Sequence, residues 1–281
     1  MLKQQPLIYH RMMTITKEQF EKIISSATNS TSEVFDMISP HLEEVGLRLR
    51  NELLGAMADD LEAVPGLEQC VMKLICLRTY AEQIPQLDLV LTPTGFGVVS
   101  NQNLAPASAD RVKNLLQQVT NAYEDSYDRC LELLVGTDWA DTALARINIP
   151  NLIYTARQLK LYADFPDAHR SKLIELRTKM YQAEEKIMQH VSAEFFEHLL
   201  EQTRHNAFTK EETAMVDYMS KFIGLCIVKN YSAAKNMLER IENYAESRLD
   251  AFSSYKDSVA YKAKHFQTYQ NEKDDSTYFW G

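Results

Sequence analysis

Six side chains able to bind a metal or move a proton recur at helical spacing late in the chain: His190, Glu194, Glu197, His198, Glu201 and His205. Steps of four and seven bring most of them near one another on a helix surface. Imidazoles mixed with carboxylates are a donor set suited to zinc and other transition metals. A complete site needs three or four convergent ligands and neighbours that orient them, which one helix rarely supplies. Ile187, Val191, Phe195 and Leu199 occupy the adjoining face. The stripe therefore reads as the polar border of an amphipathic helix, and no metal is assigned to it. The Glu-x-x-His pairs of di-iron bundles do not occur in it. Asp59, Asp60 and Glu62 lack the spacing and the glycine of a calcium loop and read as acidic surface.

Other chemistries leave no trace. The chain has no Gly-Lys-Ser/Thr phosphate loop, no His-Glu-x-x-His, no Cys-x-x-Cys and no nucleophile elbow. Gly95-Phe96-Gly97 lacks the third glycine and the helix start of a dinucleotide fingerprint. No catalytic residue and no cofactor is assigned. The four cysteines, Cys70, Cys76, Cys130 and Cys226, sit among apolar residues and read as buried free thiols. Tyr123, Tyr127, Tyr244 and Tyr255 lie beside charges on helical stretches and read as core-edge packing.

The elements that carry these residues are helices. With only 8 Gly and 8 Pro in 281 residues, turns are few. Helices are predicted at Lys17–Ser26, through a region bent or interrupted at Pro40, and at Leu67–Gln83 and Ser108–Val135, the last closed by Gly136. Trp139 is expected to anchor a short helix, with an extended stretch at Ile147–Tyr154. Long helices follow at 168–202, 209–229 and 231–264. Thr16 with Gln19, and Thr209 with Glu212, have capping-box spacing.

The charge is −9 and uneven: residues 1–146 hold 12 basic against 20 acidic side chains, residues 147–281 hold 18 against 19. That balance argues against direct nucleic-acid binding, which needs a cationic surface. The opening residues lack the apolar core of a secretory signal, and no apolar run is long enough to span a bilayer. A cytoplasmic or virion location is expected.

The chain repeats itself. Leu7-Ile8-Tyr9 recurs as Leu152-Ile153-Tyr154, and Val112–Asp128 recurs as Ala234–Asp250, with the offset falling from 145 to 122. The 23-residue segment Gln86–Ser108 has no counterpart in the second half. The fold class expected is therefore mostly α: two related helical-bundle units, 1–146 and 147–281, with a β-hairpin inserted in the first. Leu87, Leu89 and Leu91 alternate with Asp88 and Val90 before Pro93-Thr94-Gly95, which suits a three-residue hairpin loop with Gly95 at positive φ. The hairpin is either a flap with Phe96 and Val98 buried, or an exposed arm that adds a strand to another chain. The second is favoured because the other copy has no such flap. Thr94, Gly95, Phe96, Gly97 and Val98 are then partner-binding, together with the aromatic tail Tyr278-Phe279-Trp280.

The run Leu91-Thr92-Pro93-Thr94-Gly95-Phe96-Gly97-Val98-Val99-Ser100-Asn101, followed by Ala105-Pro106-Ala107-Ser108 and Arg111, resembles an uncharacterised family of Bacteroides-type bacteria and their phages or prophages. Members resemble phage head–tail connector or adaptor proteins, helical units with projecting arms. The resemblance implies a virion neck component, partnered by other proteins or by copies of itself, and no enzyme. The alternative is a ligand- or metal-binding helical protein, an enzyme among the options, that uses the cleft between its two units.

Overall fold

Leu67–Leu87 forms α3, the helix around which the first part of the chain folds. Leu67, Val71, Leu74, Ile75, Cys76, Leu77 and Tyr80 are all buried, while Glu68, Gln69, Lys73 and Glu82 face water. Helices α2 (Glu33–Leu49) and α4 (Ala109–Leu134) pack against it. Helix α1 (Lys17–Ile23) adds buried Phe20, whose ring meets Phe35 and Tyr80 at 5.7 and 6.3 Å between centroids. The Thr16–Gln19 capping box forms as predicted. The computed structural model describes residues 13–25, 33–87, 89–92, 95–98 and 108–266.

Helix α2 runs through Pro40 without a break. Proline supplies no N–H for the Asp36 carbonyl one turn back, and the Ser39 hydroxyl donates to that oxygen instead, at 3.4 Å. After Leu49 the backbone widens into a π turn, Arg50–Leu54, then tightens into a 3₁₀ turn, Gly55–Asp59. Side chains reach carbonyls of the widened turn. The Trp139 indole N–H donates to the Leu53 oxygen at 2.6 Å, and the Asn148 amide to the Glu52 oxygen at 2.9 Å.

Gly55 closes this turn at φ +58°, ψ −129°, and a Cβ there would lie 3.1 Å from Leu144 Cδ1. Gly55→Ala is expected to cost about 1–3 kcal/mol in urea denaturation, since a side chain rarely adopts this conformation. The cost should exceed that of Gly66→Ala, where φ is +85° but an added Cβ meets nothing within 4 Å. Equal costs would mean that Leu144 yields freely.

Two compact units emerge: residues 1–177 with Thr203–Ala207, and Thr178–Gln202 with residues 208–281. The halves read in the sequence part at 146/147, so residues 147–177 change sides. Three side-chain anchors explain it. Asn148 bonds the π turn, the Ala156 N–H donates to Asp128, and Arg170 pairs with Asp128, while Leu152, Ile153 and Leu159 are buried. Helices α5 (Ala143–Asn148) and α6 (Ala156–Ala163) belong to this first unit, so the extended stretch begins only after Asn148. Gly136 sits at φ +80° and donates its N–H to the Arg204 carbonyl at 2.9 Å.

Two predicted long helices are broken. The first divides into α7 (Arg170–His190) and α8 (Ala193–His205). Ser192 makes the break, because its hydroxyl accepts the Phe195 N–H at 3.1 Å and caps α8. Helix α9 (Lys210–Ile227) starts at the Thr209–Glu212 capping box, as predicted. The last predicted helix stops at Glu246 as α10 (Tyr231–Glu246), followed by α11 (Ser253–Lys256) and α12 (Val259–Lys264). The turn between brings Phe252 and Tyr255 to Phe195, at 5.1 and 5.6 Å between ring centroids. Burying aromatic rings this way outweighs a few more helical hydrogen bonds.

The repeated segments sit on α4 and α10. Their matched positions share burial at Leu115/Met237, Leu116/Leu238 and Val119/Ile241 and diverge at the end, where Asp128 is buried and Asp250 exposed.

Candidate functional site

Between α3 and α4 the backbone forms an antiparallel ladder of β1 (Leu89–Thr92) and β2 (Gly95–Val98). Its register pairs Leu89 with Val98, Val90 with Gly97, Leu91 with Phe96 and Thr92 with Gly95. Gly95 therefore belongs to the ladder, opposite Thr92, and not to the loop as the sequence suggests. Of the partner-binding residues expected from the sequence, Thr94, Tyr278, Phe279 and Trp280 lie outside the described residues, as does Leu7–Tyr9. Ser108 precedes α4 as its N-cap in extended conformation, without a side-chain capping bond.

Within the His/Glu stripe of residues 190–205, His190, Glu194, Glu197 and His198 do not converge. Its members lie on two helices, and each histidine has a carboxylate from a different element. His190 Nε2 lies 2.9 Å from Glu242 Oε2 on α10, a carboxylate that also pairs with Lys264. His198 Nε2 lies 2.6 Å from Glu212 Oε1 on α9. His205 Nε2 lies 3.5 Å from Asp141 Oδ1. Glu194 accepts from the Ser192 hydroxyl and the Val259 N–H, and Glu197 is exposed. Burial pushes the Glu212 carboxyl up, but the Thr209 N–H and His198 outweigh it and hold the group below the usual carboxylate range. These contacts staple helix to helix. Asp59 is likewise spent locally, bonded to Arg50 through both oxygens at 2.6 Å.

A buried ionic knot escaped the sequence reading. Asp128 on α4 accepts from Arg170 Nη1 at 2.7 Å and from the Ala156 N–H at 2.6 Å, the latter at the start of α6. The Arg170 guanidinium lies over the Tyr127 ring, 4.2 Å from its centroid, and the Tyr127 hydroxyl donates to Asn148 Oδ1 at 2.7 Å. Burial raises the Asp128 carboxyl, while Arg170 and the Ala156 N–H pull it back. The available signal was a charge at an apolar position of α4, between Tyr127 and Leu131.

A second group also went unread. A cleft of about 320 Å³ between α3 and α4 is lined by Gln69, Cys70, Lys73, Asp125, Ser126 and Arg129, among others. The Cys70 thiol donates to the Ser126 carbonyl at 3.3 Å. Three of the four cysteines are buried as expected, and Cys226 is half-buried.

Helices dominate the described residues, with one short ladder mounted between two packed helices of the first unit, and none of these helices is long and apolar enough to cross a membrane. Residues 51–145 are similar to a family of unknown function (DUF6712), a match that runs from the π turn through α3, the ladder, α4 and Trp139 into α5. No curated protein and no solved structure matches the chain.

Proposed function

We propose that this chain is a structural protein that works by contact, a component of a phage or prophage virion neck of the head–tail connector or adaptor kind. The observation that supports the reading is the ladder. It interrupts the α3–α4 pair inside the segment shared with the family. Two strands of four residues are marginal in water by themselves and call for a surface to lean on. In this reading that surface is another chain, which one strand edge of the ladder meets. The N-terminal arm and the Tyr278-Phe279-Trp280 tail make further subunit contacts. Ring assembly would join different patches of neighbouring subunits.

Deleting Gln86–Asn103 tests this. The full chain should form particles of several subunits at high concentration in analytical ultracentrifugation. The deletion should keep its helical circular dichroism and sediment as a monomer. A monomeric full chain would defeat the proposal. A deletion that unfolds would assign the ladder to the core as a flap.

A further inference from the structure

We propose that Asp141, Glu201 and His205 hold a divalent transition-metal ion of the zinc class, with water completing its shell. This inference does not depend on the assembly reading above.

The three donors meet. Each side chain offers one ligand atom, and these atoms all lie within 4.8 Å of one another. Among the described residues, no other three histidine, cysteine or acidic side chains come together in this way. Glu201 and His205 are one turn apart on α8, so the helix presents both on the same side. Asp141 ends the 3₁₀ turn Asp138–Asp141. It is exposed and the other two are half-buried, so an ion and its water have access.

The spacing suits an ion. Donors about 2.1 Å from a tetrahedral ion stand about 3.4 Å from one another. His205 Nε2 and Asp141 Oδ1 are 3.5 Å apart, close to that edge and long for an N–H···O bond. The other two histidines of the stripe keep ordinary hydrogen-bonding distances to a carboxylate, 2.9 Å for His190 and 2.6 Å for His198. His205 alone among them stands at ion-bridging distance.

The ligands are held in place before any ion arrives. The Gly136 N–H donates to the Arg204 carbonyl at 2.9 Å, which ties the stretch entering the 3₁₀ turn to the residue before His205. Arg204 Nε in turn donates to the Ile149 carbonyl at 3.1 Å. Inside the 3₁₀ turn Trp139 is fully buried, and the Thr142 hydroxyl donates to its carbonyl at 2.7 Å. Asp141, Arg204 and His205 belong to one compact unit, and Glu201 is placed by the helix it shares with His205. Charge and donor type then select the ion. Two carboxylates balance a divalent cation, and the C-terminal end of α8 carries the negative end of its dipole. An imidazole nitrogen suits zinc and its neighbours, whereas calcium and magnesium take oxygen. Three protein ligands plus water is the count of an open zinc site. The bound ion would clip the end of α8 to the Asp138–Asp141 turn.

Calorimetric titration of the full-length protein with zinc chloride, after a chelator has been applied and dialysed away, tests the inference. A single ion should bind each chain at micromolar concentration or below and raise the melting temperature. His205→Ala, Asp141→Ala and Glu201→Gln should each weaken binding about tenfold or more, no less than loss of an outer partner costs a metal site. His190→Ala should bind zinc as the wild type does, and excess calcium should not displace the ion. In wild-type protein, zinc should protect His205 but not His190 from diethyl pyrocarbonate, read by peptide mass spectrometry. That readout stands even if a variant fails to fold. Binding seen only at millimolar zinc, displacement by calcium, protection of His190 in place of His205, or full affinity in His205→Ala would overturn the inference.

Discussion

Arg170→Met should destabilise the protein by about 3–5 kcal/mol at pH 7, the usual cost of removing one partner from a buried ion pair. The pair qualifies: the side chains of Arg170 and Asp128 are only 7% and 10% exposed. Methionine roughly fills the stem of Arg170 and leaves the Asp128 carboxylate with the Ala156 N–H as its remaining bond among those described. The loss is not of attraction alone. A buried carboxylate without its cation bears nearly its whole desolvation cost.

The variant's pH dependence identifies the cause. Asp128 is already raised by burial, and Arg170 is the largest influence pulling it back. In Arg170→Met the folded-state pKa therefore rises further above the unfolded value near 4. A group raised on folding contributes stability that is fully present below its unfolded pKa and is lost as pH rises through its folded pKa. The penalty of the variant should accordingly be small near pH 4 and grow toward pH 7. Adding Asp128→Asn should recover roughly 1 kcal/mol or more at pH 7, the coupling expected of side chains in direct contact. Urea denaturation of the single and double variants at both pH values measures all of this. A penalty flat with pH, together with strictly additive variants, would show that Arg170 acts through packing on Tyr127 instead of through charge.

Local signals were the most legible in the sequence. The capping boxes at Thr16 and Thr209 need only four consecutive residues, and both form. The buried position of Trp139 and the central place of α3 follow from apolar side chains at helical spacing. Helix ends that depend on distant partners were not legible. Ser192 ends one helix and starts another because Phe195 must reach Phe252 and Tyr255, which lie far along the chain. Residues 147–177 were placed with the wrong unit for the same reason, since their anchors are Glu52 and Asp128. The repeat matches Asp128 with Asp250, yet Asp250 is exposed and pairs loosely with Lys256 at 3.8 Å. Identity of letters did not carry identity of role.

Trp139→Ala should be as damaging as loss of the ionic knot, at about 3–5 kcal/mol, the range for emptying a buried aromatic site. Trp139 is fully buried, and its indole N–H holds the Leu53 carbonyl within the π turn. Trp139→Phe separates the two contributions. Phenylalanine keeps most of the apolar contact but leaves the Leu53 oxygen without its indole donor, which should cost about 1–3 kcal/mol. The location of the damage matters as much as its size. A π turn has fewer suitably aligned backbone partners than an α turn, so an unbonded Leu53 carbonyl should let Arg50–Leu54 relax toward ordinary helix. That shift would turn Gly55, where an added Cβ would lie 3.1 Å from Leu144 Cδ1. Hydrogen exchange should therefore show faster loss of protection at Leu53–Asp59 in Trp139→Phe, with α9 and α10 unchanged. Exchange that quickens uniformly would mean that Trp139 supports the first unit through bulk alone, and that the π turn is held by Asn148.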